Sequence, residues 1–192
     1  GTHPVTGMVA RRGKAGYVSF ETGKPVIFVH ELATGNRTKV ADFPGLNSAP
    51  AWSDDGRSLL MTLSKDGNAE IYRMNLDTRQ LTKLTNHWAI DTEPSYDATG
   101  KGIFFTSDRS GGPQIYHMDT PGAEPRRITF GSRYNARPRP DNDGNYVYYV
   151  HQRDRAFHIA RTELKTGEET ILTRTESDES PSVAPNGRML IY

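Results

Sequence analysis

Four carboxylates, Asp91, Glu93, Asp178 and Glu179, hold the densest potential for chemistry in this sequence. Two acids close together, twice over, suit a hard divalent cation, because calcium takes about six to eight oxygen ligands. A metal held there could polarise an ester or a lactone, which makes a hydrolase or lactonase with a metal at these acids one reading. The other is that the acids solvate a loop, or pair with Arg137, and present a polar surface to a partner protein. Nucleophilic chemistry has less support, since no Gly-x-Ser-x-Gly elbow occurs. His3, His30, His87, His117, His151 and His158 are scattered over different segments without metal-ligand spacing. Cysteine is absent, which excludes thiolate metal sites and disulfides.

Composition bounds the partners. Lys and Arg number 24 against 23 Asp and Glu, a formal charge of +1, so no net field favours nucleic acid or an anionic membrane. No apolar run approaches the ~18 residues of a membrane span, so direct membrane insertion is not expected. The Gly1 start lacks the charged-then-apolar pattern of a signal peptide, which fits a cytosolic protein or one whose leader has been removed.

The acids are positioned by a repeat. Pro50, Pro94, Pro138 and Pro181 recur at steps of 44, 44 and 43 residues, followed at a fixed offset by Gly56, Gly100, Gly144 and Gly187. Ile27, Ile71, Ile115 and Ile159 keep the same beat, as do Val40, Leu84, Ile128 and Leu172. A fifth, worn copy opens the chain, with Gly13-Lys14 in the phase of Gly56-Arg57 and Gly7 expected in the proline slot. Periods of roughly 40 to 45 residues built from strands signify propeller blades, and no amphipathic helix is visible.

Each repeat reads as four short strands, A to D. Asp54-Asp55-Gly56, Asn142-Asp143-Gly144 and Pro185-Asn186-Gly187 close the A–B hairpins, where glycine supplies a positive φ. Strand B is continuously apolar, as in Ile103-Phe104-Phe105 and Val147-Tyr148-Tyr149, which marks burial on both faces. Strand C alternates. Trp52, Tyr96, Phe104, Tyr148 and Tyr149 fall at core phases. The expected fold is all-β, a propeller of four-stranded antiparallel blades, four complete and one partial. The repeats cover about 5–41, 49–87, 93–130, 137–174 and 180–192 within a single domain.

In such a fold strand A lines a central channel, and a proline on its free edge lacks only an N–H that would have no partner. The residues before each proline then share one channel mouth. Leu46, Asn47, Ala49, Asp91, Thr92, Glu93, Tyr134, Asn135, Arg137, Asp178 and Glu179 are the candidate partner-binding set, with no catalytic residue and no cofactor assigned. Trp88 and Tyr134, in the D-to-A loops, either anchor an interface or pack the loop. Five A–B hairpins against four C–D hairpins leave a half-made blade. Its unpaired edges predict edge-to-edge self-association or completion by more chain.

The pattern Pro-x-x-Ser-x-x-Gly-Arg, as in Pro50 to Arg57, resembles the repeat of TolB-type propellers. Asp91-Thr-Glu-Pro94, Phe105-Thr-Ser-Asp-Arg109, Pro113-Gln-Ile-Tyr116, Arg127-Ile-Thr129 and the run Asp178 to Gly187 strengthen the likeness, which covers about 17–192. Asp97 to Gly100 and Asp141 to Gly144 depart from it by lacking Ser-Pro before the turn. The resemblance implies a segment of a six-bladed ring in a non-enzymatic periplasmic scaffold of the Tol–Pal envelope system. It also implies that the channel mouth binds the lipoprotein Pal, with other Tol-system proteins as partners. An accessory propeller domain of a peptidase is the remaining alternative.

Overall fold

The structure, a computed structural model, describes residues 5–175, 177–184 and 188–192, and among these every regular element is a strand. The first sheet is β1 (Val5–Arg11), β2 (Lys14–Ser19), β3 (Val26–Glu31) and β4 (Arg37–Ala41). The second is β5 (Asn47–Trp52), β6 (Ser58–Leu63), β7 (Glu70–Asn75) and β8 (Leu81–Lys83). The third is β9 (Asp91–Tyr96), β10 (Ile103–Ser107), β11 (Gln114–Met118) and β12 (Arg126–Arg127). The fourth is β13 (Asn135–Pro140), β14 (Tyr146–Arg153), β15 (Ala156–Glu163) and β16 (Glu169–Ile171). A two-stranded sheet, β17 (Ser182–Val183) with β18 (Leu190–Ile191), follows. In all four complete sheets the strands neighbour one another in sequence order, so strand A lies at one edge and the short strand D at the other.

The chain divides into two compact units, Gly1–Pro94 and Ser95–Tyr192. In the first, Val18, Ile27, Leu59, Met61, Leu63, Tyr72 and Met74 form one buried cluster between the first two sheets. Trp52 packs against it and donates its indole N–H to the carbonyl of Val9 at 3.1 Å. Gly16 lies against the ring, where a Cβ would meet Trp52 at 3.5 Å, an ordinary van der Waals contact. In the second unit Phe104 and Ile115 pack against Val147, Tyr149 and Ala160. The apolar B strands are buried on both faces because each sheet stacks on a neighbour, and truncating Leu59 or Leu63 to alanine would cost ~2–5 kcal/mol.

The hairpin glycines behave as their neighbours predict. Gly56, Gly100 and Gly144 have φ of 71°, 70° and 74°, and Gly13 has 76°. Gly187 lies outside the described residues. Gly7 departs from expectation. Its φ of +60° and its place in the register break between Thr6 and Val9 make it the counterpart of Ala49, the residue before the proline. The reason is a tighter first hairpin, which pairs Arg11 with Lys14 where the second pairs Trp52 with Leu59, so counting back from the glycine overshoots by one.

Candidate functional site

The residue before each repeat proline is the unusual one. Ala49, Glu93, Arg137 and Ser180 have φ of 52°, 55°, 60° and 49°, the left-handed region that costs a non-glycine residue about 1–2 kcal/mol. In β5 and β13 this residue and its proline form a bulge, with register shifts between Ser48 and Ala51 and between Ala136 and Arg139. A bulge leaves residues outside the ladder, which is where a proline without an N–H is tolerated. Two of the strained residues are held by a threonine of strand B. Thr62 Oγ1 accepts from the Glu93 N–H at 3.3 Å, and Thr106 Oγ1 from the Arg137 N–H at 3.1 Å.

Two residues before each of these lies a buried polar side chain. Asn47, Asp91 and Asn135 are fully buried and Asp178 nearly so. Asn47 donates to the carbonyls of Pro25 and Phe43 and accepts from the Phe43 N–H, closing the loop ahead of β5. Asn135 donates to Gln114 at 2.9 Å and bonds His151 through Oδ1 at 2.8 Å. Asp178 takes the hydroxyls of Thr173 and Thr175. Asn47, Asn135 and Asp178 therefore brace the chain within their own units, and none of the four side chains faces solvent as an exposed acid or amide would.

A second repeated device supports the same loops. Thr85, Thr129 and Thr173 each accept from the N–H of Ile71, Ile115 or Ile159 at 2.9–3.0 Å. Their hydroxyls donate in turn to Glu70 at 2.6 Å, to Gln114 at 2.7 Å and to Asp178. Glu70 also accepts the N–H of His87 at 2.7 Å. Asn68, half-buried, donates to the carbonyls of His87 and Ala89, both at 2.7 Å, so the 86–90 loop is fixed by polar groups beneath it.

Besides Asn86, what that loop exposes is apolar. Trp88 is 77% exposed, with its ring centroid 5.1 Å from that of His87, and Ile90 is 52% exposed. Leu46, one repeat earlier than Ile90, is also exposed. In the second unit the half-buried Tyr134 meets Phe157 edge-on at 5.5 Å. There Arg137 donates to Ser180 Oγ at 2.8 Å and lies 3.9 Å from the exposed Glu179 carboxylate. Thr92, half-buried, lies with its hydroxyl 3.3 Å from that of Thr62. Among the described residues no three His, Asp or Glu side chains converge as they would around a metal ion.

Sequence reasoning placed the loop aromatics and the Arg137–acid pairing, but not the left-handed residues or Glu70 and Gln114. Only the shared phase of Glu70 and Gln114 at the head of strand C could have singled them out. Of the core aromatics, Phe104, Tyr148 and Tyr149 are buried, while Trp52 and Tyr96 are partly so. His117 and His151 are buried in strands. Burial holds His151 below its ordinary pKa, against the opposing pull of Glu169.

Residues 9–192 match the family described as the TolB beta propeller domain. The Tol-Pal system protein TolB of Alcanivorax borkumensis is 68% identical over 93% of this chain and 42% of its own length. That of Ruthia magnifica is 54% identical over 94% of the chain and 43% of its own length. The crystal structure of TolB from Acinetobacter baumannii superposes with a TM-score of 0.91 at 44% identity, covering 99% of this chain and 48% of that one. The chain thus spans less than half the length of each of these relatives. With its proline–glycine repeat and its sheets of four antiparallel strands, the chain belongs to the TolB β-propeller family, as a propeller segment of four full blades and part of a fifth.

Proposed function

We propose that this chain is part of a non-enzymatic periplasmic scaffold that binds a Pal-like lipoprotein, among other Tol-system proteins, through the rim that carries the residues preceding the repeat prolines. The observation behind this reading is the contrast on that rim between a rigid buried support and an exposed apolar surface. Asn47, Glu70 and Asn68 are consumed in holding loops, whereas Leu46, Trp88 and Ile90 stand out from them. Aromatic anchors on a preorganised support lose little freedom on binding, which is how a protein interface gains affinity. Thr92 and Glu93 supply polar groups beside such anchors in the first unit, and Tyr134, Arg137 and Glu179 are their counterparts in the second. In a propeller, equivalent positions of successive blades share one rim, so residues about 44 apart in sequence can address one partner. The relatives in Alcanivorax and Ruthia are named as components of the Tol-Pal system, which supplies the class of partner. Self-association through open strand edges belongs to the same proposal.

Site-specific photo-crosslinking of the full-length protein tests it. A crosslinker at Ile90 should capture the Pal-like lipoprotein, and one at Thr99, in an A–B hairpin, should not. Equal capture from both positions would contradict the reading.

A further inference from the structure

At the hairpin end of the first unit, the turns of the first two sheets enclose a cleft of about 400 Å³. Five cations line it: Arg11, Arg12, Lys14, Arg57 and Arg79. Glu31, Asp55 and Asp77 also line it and Arg11 pairs with the Asp54 carboxylate, so the positive excess rests on Arg12, Lys14, Arg57 and Arg79. Asp55 is engaged, accepting from Ser53 Oγ at 2.6 Å and from the Arg57 N–H at 2.9 Å.

Backbone bonds draw the turns together. The Leu76 N–H donates to the Arg57 carbonyl and the Leu32 N–H to the Gly13 carbonyl. Arg11 and Arg12 both direct Nε to the Asp54 carbonyl, at 3.3 and 3.0 Å, which fixes their stems at the cleft.

Two of these arginines occupy backbone positions that disfavour them. Arg79 has φ of 64° in the C–D turn, where its counterparts one repeat before and two after are Gly35 and Gly167, with φ of 73° and 77°. All three close the same turn, with the N–H of Arg79 bonded to the Asn75 carbonyl as Gly35 is to Glu31 and Gly167 to Glu163. Arg12, with φ of 46°, stands before the hairpin glycine where other repeats carry Asp55, Thr99 or Asp143. A bulky left-handed residue carries a conformational cost that glycine avoids. Nor does the repeat require the charge. The equivalent cleft of the second unit, about 180 Å³, is lined by Ala98, Thr99, Phe104, Pro140 and Leu164, with Arg126 set against Asp97 and His117.

We propose that this cleft binds a small phosphate-bearing anion, whether a soluble polyphosphate-type ligand or the headgroup of an anionic lipid. Guanidinium forks match phosphate oxygens bidentately, and several converging on one cleft favour a group with more than one negative charge. The cleft volume lies within the range of small-molecule sites.

The test uses the full-length protein with inorganic pyrophosphate as probe in calorimetry, and phosphatidylglycerol vesicles in sedimentation. Pyrophosphate should bind saturably at one site. Arg79→Gly should weaken it at least tenfold while melting at the same or a higher temperature, because glycine suits the turn. Arg57→Ala should weaken binding similarly, and Arg126→Ala in the second unit should leave it unchanged. Vesicle binding lost with Arg79→Gly would identify the headgroup as the source, and pyrophosphate binding without vesicle binding a soluble ligand. Absence of both, or unchanged affinity in Arg79→Gly, would overturn the proposal.

Discussion

The backbone N–H of Glu93, a residue held at φ 55°, donates to the hydroxyl of Thr62 on the adjoining strand B at 3.3 Å. The same pair recurs 44 residues later as Arg137 and Thr106. A strained residue persists only when its surroundings over-determine it. The threonine hydroxyl does so here, and the left-handed turn directs the chain through the bulge into the proline.

Thr62→Val should therefore destabilise the protein by ~1–2 kcal/mol, the scale of a buried donor left unsatisfied. Glu93→Gly relieves the left-handed strain and should be neutral or slightly stabilising, as the natural Gly7 suggests. Glu93→Val, β-branched and intolerant of positive φ, should cost about 2 kcal/mol or more. Denaturant unfolding of the three variants checks the order.

Glu70 should behave as a buried support. Glu70→Ala leaves the Thr85 hydroxyl and the His87 N–H without their acceptor, and should cost ~2–4 kcal/mol. Glu70→Gln keeps an acceptor for Thr85, as Gln114 does for Thr129, and should cost clearly less. Hydrogen exchange at the 86–90 amides should speed up in Glu70→Ala.

Acid stability should depend on Asp97. Burial pushes its pKa up, but hydrogen bonds from Thr99 and His117 outweigh that and hold it below its ordinary 3.8. A carboxylate depressed in the folded state stabilises above its unfolded pKa, and that contribution fades as pH falls through the lower folded value. Melting temperature between about pH 6 and pH 3 should fall less steeply in Asp97→Asn than in the parent chain. An equal slope would remove Asp97 from the acid transition.

The blade architecture was legible because its signals are local. Glycine at a positive-φ hairpin and an unbroken apolar strand B leave marks in residue type, and their period is countable. The candidate site was only half legible. Nothing in Ala49, Glu93, Arg137 or Ser180 as residue types announces a left-handed backbone, since bulge geometry and the Thr62 and Thr106 anchors impose it from other strands. Asn47, Asp91 and Asn135 looked like surface polar groups and are fully buried, and long-range partners satisfy Asn47 and Asn135. The slip at Gly7 arose where one hairpin is tighter than its repeats.

The exposed loop residues should matter for binding and not for folding. Trp88→Ala removes a side chain that is 77% exposed, so the melting temperature should stay within about a degree or two. Affinity for the Pal-like lipoprotein should fall at least tenfold, or ~1.4 kcal/mol, at the hot-spot scale.

The central claim, that the rim ahead of the repeat prolines receives a protein partner, is tested most directly by calorimetric titration of the full-length protein with the Pal-like lipoprotein. Ala49, beside Pro50, and Thr92, beside Glu93, are each replaced by a large residue, and thermal unfolding is followed in parallel. A fall in affinity of ~2 kcal/mol or more in both variants, with melting little changed, is the predicted result. Unchanged affinity in both, alongside unchanged melting, would contradict the account and move the partner to another face.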